Sequence, residues 1–87
     1  MIQGEKGGIR ILSLEDSDLD AELIVEELRS GGIEFAWRRA QTGGDFERAI
    51  VEFRPEIILA DYKLPGFDGA QALVLARDSC PDVPVIV

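Results

Sequence analysis

The sequence predicts an α/β fold, a doubly wound parallel sheet with helices on both faces. Two observations carry this. Short apolar runs alternate strictly with helical stripes in the order β-α-β-α-β-α-β, with short joins. Strict alternation implies parallel strands with right-handed crossovers. Acidic residues also follow the first and third apolar runs, and open α/β sheets place ligand sites outside the carboxyl ends of their strands.

Each element has its own signal. Residues 1–8 are polar and Gly-rich and read as a flexible leader. Ile9 to Leu14 is mostly apolar with β-branched residues, a buried strand stopped abruptly by Glu15-Asp16-Ser17-Asp18. Ser17 with Asp20 has capping-box spacing and opens a helix. Ala21, Ile24, Val25 and Leu28 form its stripe. Leu19 and Leu23 widen it, which predicts a helix pressed against a sheet, and Gly31-Gly32 ends it. Ile33 to Arg39 sets Ile33, Phe35 and Trp37 against Glu34, Ala36 and Arg38, an edge strand with one wet face.

Thr42 with Asp45 repeats the capping spacing. Phe46, Ala49, Ile50 and Phe53 then make a second stripe, closed by Pro55. Glu56 to Ala60 is apolar throughout its core, as a central parallel strand covered on both faces should be. A loop runs from Asp61 to Phe67. Asp68, with Gln71, caps a third helix whose stripe reads Ala70, Leu73, Val74 and Arg77. Cys80 to Pro84 connects it to a fourth apolar strand, Val85 to Val87. The sequence thus stops within an apolar run, where a domain boundary is expected in a polar linker. Residues 9–87 are therefore expected to be a C-terminally incomplete domain.

Composition narrows the function. Seventeen Asp and Glu against nine Lys and Arg give a net charge of -8. That balance argues against nucleic acid or an anionic membrane as partner, and suits a cation or a basic protein surface. With no His, His-based acid–base catalysis and His metal ligation are excluded. One Cys excludes an internal disulfide and a CxxC metal knuckle. No apolar run approaches the roughly 20 residues a membrane helix needs, and a reducing, cytoplasmic setting is the expectation.

The chemistry gathers at the strand ends. If the first strand lies beside the third, Glu15, Asp16 and Asp61 share one pocket. Two carboxylates about 4 Å apart repel by about 4 kcal/mol at an effective dielectric of 20. A divalent cation relieves that cost, and an all-oxygen site suits Mg2+ better than zinc or copper. Any one of these acids alone reads more readily as a helix cap or a solvated loop residue. Jointly they do not, since Ser17 already caps the helix and Asp61 has no local capping duty.

Residues 9–87 resemble the receiver domain of two-component response regulators. The resemblance rests on Glu15-Asp16 after the first strand and on Asp61-Tyr62-Lys63-Leu64-Pro65-Gly66-Phe67-Asp68-Gly69, which fits the family pattern D-x-x-[LM]-P-x-x-[DN]-G in full. The two are separated by one helix, one strand and one helix, as in the family. The resemblance implies a flavodoxin-like strand order 2-1-3-4-(5). It implies that Asp61 is the phosphoacceptor nucleophile, taking a phosphoryl group from a histidine kinase or phosphotransfer protein. It implies Mg2+ held by Glu15, Asp16, Asp61 and the Lys63 backbone carbonyl, with Pro65 and Gly69 shaping the loop. The module would be a signalling domain and not an enzyme. The family's Ser or Thr after the fourth strand and Lys after the fifth lie past Val87, so weak to moderate Mg2+ binding and poor phosphate uptake are expected. An uncovered fourth strand would pair copies as a homodimer.

Other readings carry less. A non-phosphorylated interaction module would keep the same acidic pocket. A haloacid-dehalogenase-type phosphatase would need a D-x-D at the first strand that Glu15-Asp16-Ser17-Asp18 does not supply. TGGDF at Thr42 to Phe46 is one residue short of a diguanylate cyclase signature and reads as a helix start. Trp37 reads as packing, Cys80 as a passive thiol, and Arg38-Arg39 as a solvated strand end.

Overall fold

The computed structural model describes residues 8–61 and 69–87. Four parallel strands are present among them: β1 (Ile9–Leu14), β2 (Phe35–Ala40), β3 (Ile57–Ala60) and β4 (Val85–Ile86). Their order is β2-β1-β3-β4, the first four places of the expected arrangement. Helix α1 (Asp18–Ser30) follows β1, α2 (Gly43–Phe53) follows β2, and α3 (Gly69–Ser79) follows β3. Register aligns Leu14 with Ala40 on one side and with Ala60 on the other, so the three strands end level.

Period-two alternation sorts the strand side chains between two cores. Leu12, Leu14, Ile58, Ala60 and Ala40 pack with Phe46, Ala49 and Ile50 of α2 and with Ala72 and Ala76 of α3. Ile11, Phe35 and Trp37 pack with Ala21 and Val25 of α1 on the opposite face. The indole Nε1 of Trp37 donates a 2.8 Å hydrogen bond to Ser13 Oγ, which satisfies the one polar side chain buried inside β1.

Local chemistry sets the helix ends. Ser17 Oγ accepts from the Asp20 N–H, and Thr42 Oγ1 accepts from the Asp45 N–H. Helix α1 closes in a Schellman motif: the Ile33 N–H donates to Leu28 C=O and the Gly32 N–H to Arg29 C=O, with Gly32 at φ +71. Gly32→Ala is expected to cost about 1 kcal/mol, purely through the left-handed backbone, because its Cβ would meet open space. Urea unfolding of the two proteins measures it. Gly8 is constrained differently, since a Cβ there would lie 2.4 Å from the Glu34 carbonyl carbon.

Four expectations need correction. Leu19 and Leu23 are 65% and 50% exposed, so α1 meets the sheet through Ala21 and Val25, with Leu28 partly buried beside them. In α3 the inward residues are Ala72 and Ala76, while Leu73 and Val74 face out. Nearly every residue from Ala70 to Ala76 is apolar, so periodicity there is ambiguous, and it is the alanines that join the core shared with α2. Ile33 lies outside β2 and is exposed. Ile86 and Val87 are half exposed, and the α1-side face of β3 at Ile57 and Leu59 is only partly covered. The Asp68 cap and Tyr62, Lys63, Leu64, Pro65, Gly66 and Phe67 lie outside the described residues. So does the leader before Gly8.

Candidate functional site

Two backbone hydrogen bonds carry the sheet one step past its strand ends. The Glu15 N–H donates to Ala40 C=O and the Asp61 N–H to Leu14 C=O, each at 2.9 Å. They set Glu15 and Asp61 on neighbouring strand ends. By strand parity both belong to the α1 face, and Asp16 is next in the turn toward α1. Carboxylate oxygens of Glu15, Asp16 and Asp61 consequently lie within 4.8 Å of one another. Glu15 is buried, Asp61 half-buried and Asp16 exposed. The group borders an open hollow of about 370 Å3, lined also by Asp20, Ile24 and Leu59.

Burial and neighbouring carboxylates act together on Glu15. Two full charges at 4.8 Å repel by about 3 kcal/mol at an effective dielectric of 20. Burial first, then the Asp61 charge, a hydrogen bond with the Asp61 side chain and last the Asp20 charge, push the Glu15 carboxyl above its ordinary 4.5. The Ser17 N–H, donating to Glu15 Oε2 at 3.2 Å, opposes that rise. A raised native pKa means the folded chain holds this proton more tightly than the unfolded one. The Glu15 contribution to stability is therefore full below pH 4.5 and lost as pH rises through the native value. Metal-free Glu15→Gln should lack this component. Urea unfolding from pH 4.5 to 7 is expected to show a steeper loss in wild type than in the variant; parallel curves would refute it.

The donor set fits a hard divalent cation. Three carboxylates converge, one stays solvent-exposed for entry, and no thiol or imidazole belongs to the group. Of the other residues singled out from the sequence, Gly69 is the first residue of α3. Lys63 and Pro65 lie outside the described residues.

Arg39 is the residue that sequence reading misplaced. It is not a solvated strand end: its side chain is only 16% exposed. Its Nε donates to the Glu15 backbone carbonyl at 2.8 Å, and its Nη1 to Asp18 Oδ1 at 2.7 Å. Alternation does place Arg39 on one face with Phe35 and Trp37, but its acceptors lie 24 and 21 residues away in sequence. Arg38, on the other face, pairs with Glu52 of α2 at 2.8 Å.

Comparison with known proteins agrees with this arrangement. The response regulator GacA of Pseudomonas aeruginosa is 31% identical over 80 residues, covering 91% of this chain and 37% of the regulator. Among solved structures, the receiver domain of the sensor histidine kinase PA1611 from Pseudomonas aeruginosa has a magnesium ion coordinated in its active-site cleft. It superposes with a TM-score of 0.75 at 30% identity, covering 91% of this chain and 65% of that one. A two-component transcriptional regulator AraC from Clostridium phytofermentans superposes with a TM-score of 0.79 at 22% identity, over 88% of this chain and 63% of that one. No protein-family model matches. The chain spans 20% to 37% of the length of the first three curated relatives it matches.

Proposed function

The chain belongs to the response-regulator receiver family, and from that premise we propose that Asp61 is its phosphoacceptor, working with Mg2+ held by Glu15, Asp16 and Asp61. The observation that carries this reading is the convergence of these three carboxylates within 4.8 Å at the level ends of β1 and β3.

The transfer follows from ordinary acyl-phosphate chemistry. A phosphohistidine on the partner kinase presents its phosphorus to an Asp61 oxygen, in line with the P–N bond. The P–O bond to Asp61 forms as the P–N bond breaks, and the imidazole leaves with the electron pair and takes up a proton. Bound Mg2+ supplies charge neutralisation for the phosphoryl oxygens. Glu15 is held from three directions, by Ala40, Ser17 and Arg39, and so offers a fixed ligand. Asp16 is exposed and would supply a second, solvent-reachable carboxylate ligand. The Lys63 carbonyl completes the protein ligands in this reading.

The acidic face of α1, with exposed Asp20, Glu22, Glu26 and Glu27, suits a basic kinase surface. The same reading includes pairing of copies through the outer edge of β4, where Ile86 is exposed. A monomer by light scattering would remove that part alone. Among the described residues no helix is long and apolar enough to cross a membrane, and the reading places the domain in the cytoplasm.

Acetyl phosphate tests the proposal. Incubated with it, a minor fraction of the protein is expected to gain one phosphoryl group by intact mass, in Mg2+ and not in EDTA. A mass unchanged under both conditions favours an interaction module that keeps the pocket without the chemistry.

A further inference from the structure

We propose that Arg39 is a positioning residue for the carboxylate pair, fixing the β1–α1 turn so that Asp16 meets Glu15 and Asp61. This inference rests on the reading of the cluster as a cation site.

The Asp16 side chain is exposed, so its placement depends on the backbone on either side. One guanidinium grips both flanks: Nε takes the carbonyl of Glu15, the residue before, and Nη1 takes the carboxylate of Asp18, two residues after. The Glu15 peptide is thereby tied to β2 at both ends, through its N–H to Ala40 and its C=O to Arg39. The fork is rigid and planar, and its two hydrogen bonds fix an orientation that a flexible ammonium would not. Its third nitrogen, Nη2, is buried without a hydrogen-bond partner among the described residues. A desolvated cation is thus kept beside the cluster, with Asp18 as its counter-charge.

Electrostatics makes the idea decidable by sign. A positive charge beside a cation site opposes binding, so deleting it should tighten Mg2+ if charge alone matters. If Arg39 acts by holding the turn, deleting it should loosen Mg2+ instead. Outer-shell partners of metal ligands change affinity by about 10- to 100-fold, and the lower end is expected here because Asp16 remains solvated.

The test is Mg2+ titration by calorimetry on wild type, Arg39→Gln, Arg39→Lys and Arg38→Gln. Amide hydrogen exchange at Asp16 and Ser17 is measured alongside without metal. Arg39→Gln is expected to bind about 10-fold more weakly and to exchange faster at both amides. Arg39→Lys keeps the charge and loses the fork, so a several-fold weakening is expected, and it stands alone if Arg39→Gln does not fold. Arg38→Gln, on the opposite face, should bind as wild type does. Equal or tighter binding in the folded Arg39 variants, or equal weakening in Arg38→Gln, overturns the proposal. If wild type binds no Mg2+, the cation-site reading fails instead, and unchanged exchange in the Arg39 variants would then refute the positioning role independently.

Discussion

Asp61→Asn is expected to abolish phosphoryl uptake while making the metal-free protein more stable. The two effects have one cause. The cluster concentrates negative charge, and in the proposed reading a cation and a phosphoryl group offset it. Replacing Asp61 deletes the proposed nucleophile, and an amide cannot form an acyl phosphate. It also deletes the charge that helps to push Glu15 upward. The bare Coulomb cost at this spacing is about 3 kcal/mol at an effective dielectric of 20. Asp16 is exposed and Asp61 half-buried, so screening leaves a gain of about 1 kcal/mol. For a domain of this size that is a rise in Tm of about 5 °C. Thermal unfolding in EDTA reads the stability, and intact mass after acetyl phosphate reads the chemistry. A variant that loses uptake and also loses stability would show that Asp61 has a structural duty the account omits.

Phe46→Ala is expected to have the largest effect on folding. Phe46 is fully buried, lies on the inner face of α2, and packs in the larger core with Leu12, Leu14, Ile58 and Ala72. Truncating a buried phenylalanine costs about 3–5 kcal/mol in lost transfer energy and cavity. A chain of 87 residues has a total stability of only about 5–10 kcal/mol. The variant is expected to be largely unfolded at 37 °C by circular dichroism, whereas Val51→Ala, on the exposed side of the same helix, should be nearly neutral. Comparable losses in both would mean that α2 is not seated on the sheet as described.

Much of this was legible in the residues, for reasons that can be named. The capping pairs Ser17–Asp20 and Thr42–Asp45 both form as their spacing requires, because a cap is a local bond within four residues. Glu15, Asp16 and Asp61 meet because a parallel sheet with β1 beside β3 brings two strand ends level. That depends only on topology, which strict alternation specifies. Failures occurred where the decision was tertiary. Apolar residues nearly fill α3 from Ala70 to Ala76, so hydropathy could not choose its inner face. In the fold Ala72 and Ala76 face in. Arg39 was misread because arginine on an edge strand is ordinarily solvated. What buries it is the pair of acceptors that the β1–α1 turn brings to it, Glu15 C=O and Asp18, and these are distant in sequence.

The most direct test of the phosphoacceptor assignment is an NMR titration of the wild-type chain with beryllofluoride, a phosphoryl mimic, in Mg2+. The account predicts amide shifts centred on Glu15, Asp16 and Asp61, abolished by EDTA and absent in Asp61→Asn. Mg2+-dependent shifts that persist in Asp61→Asn, or a spectrum unchanged at all three residues, would contradict it.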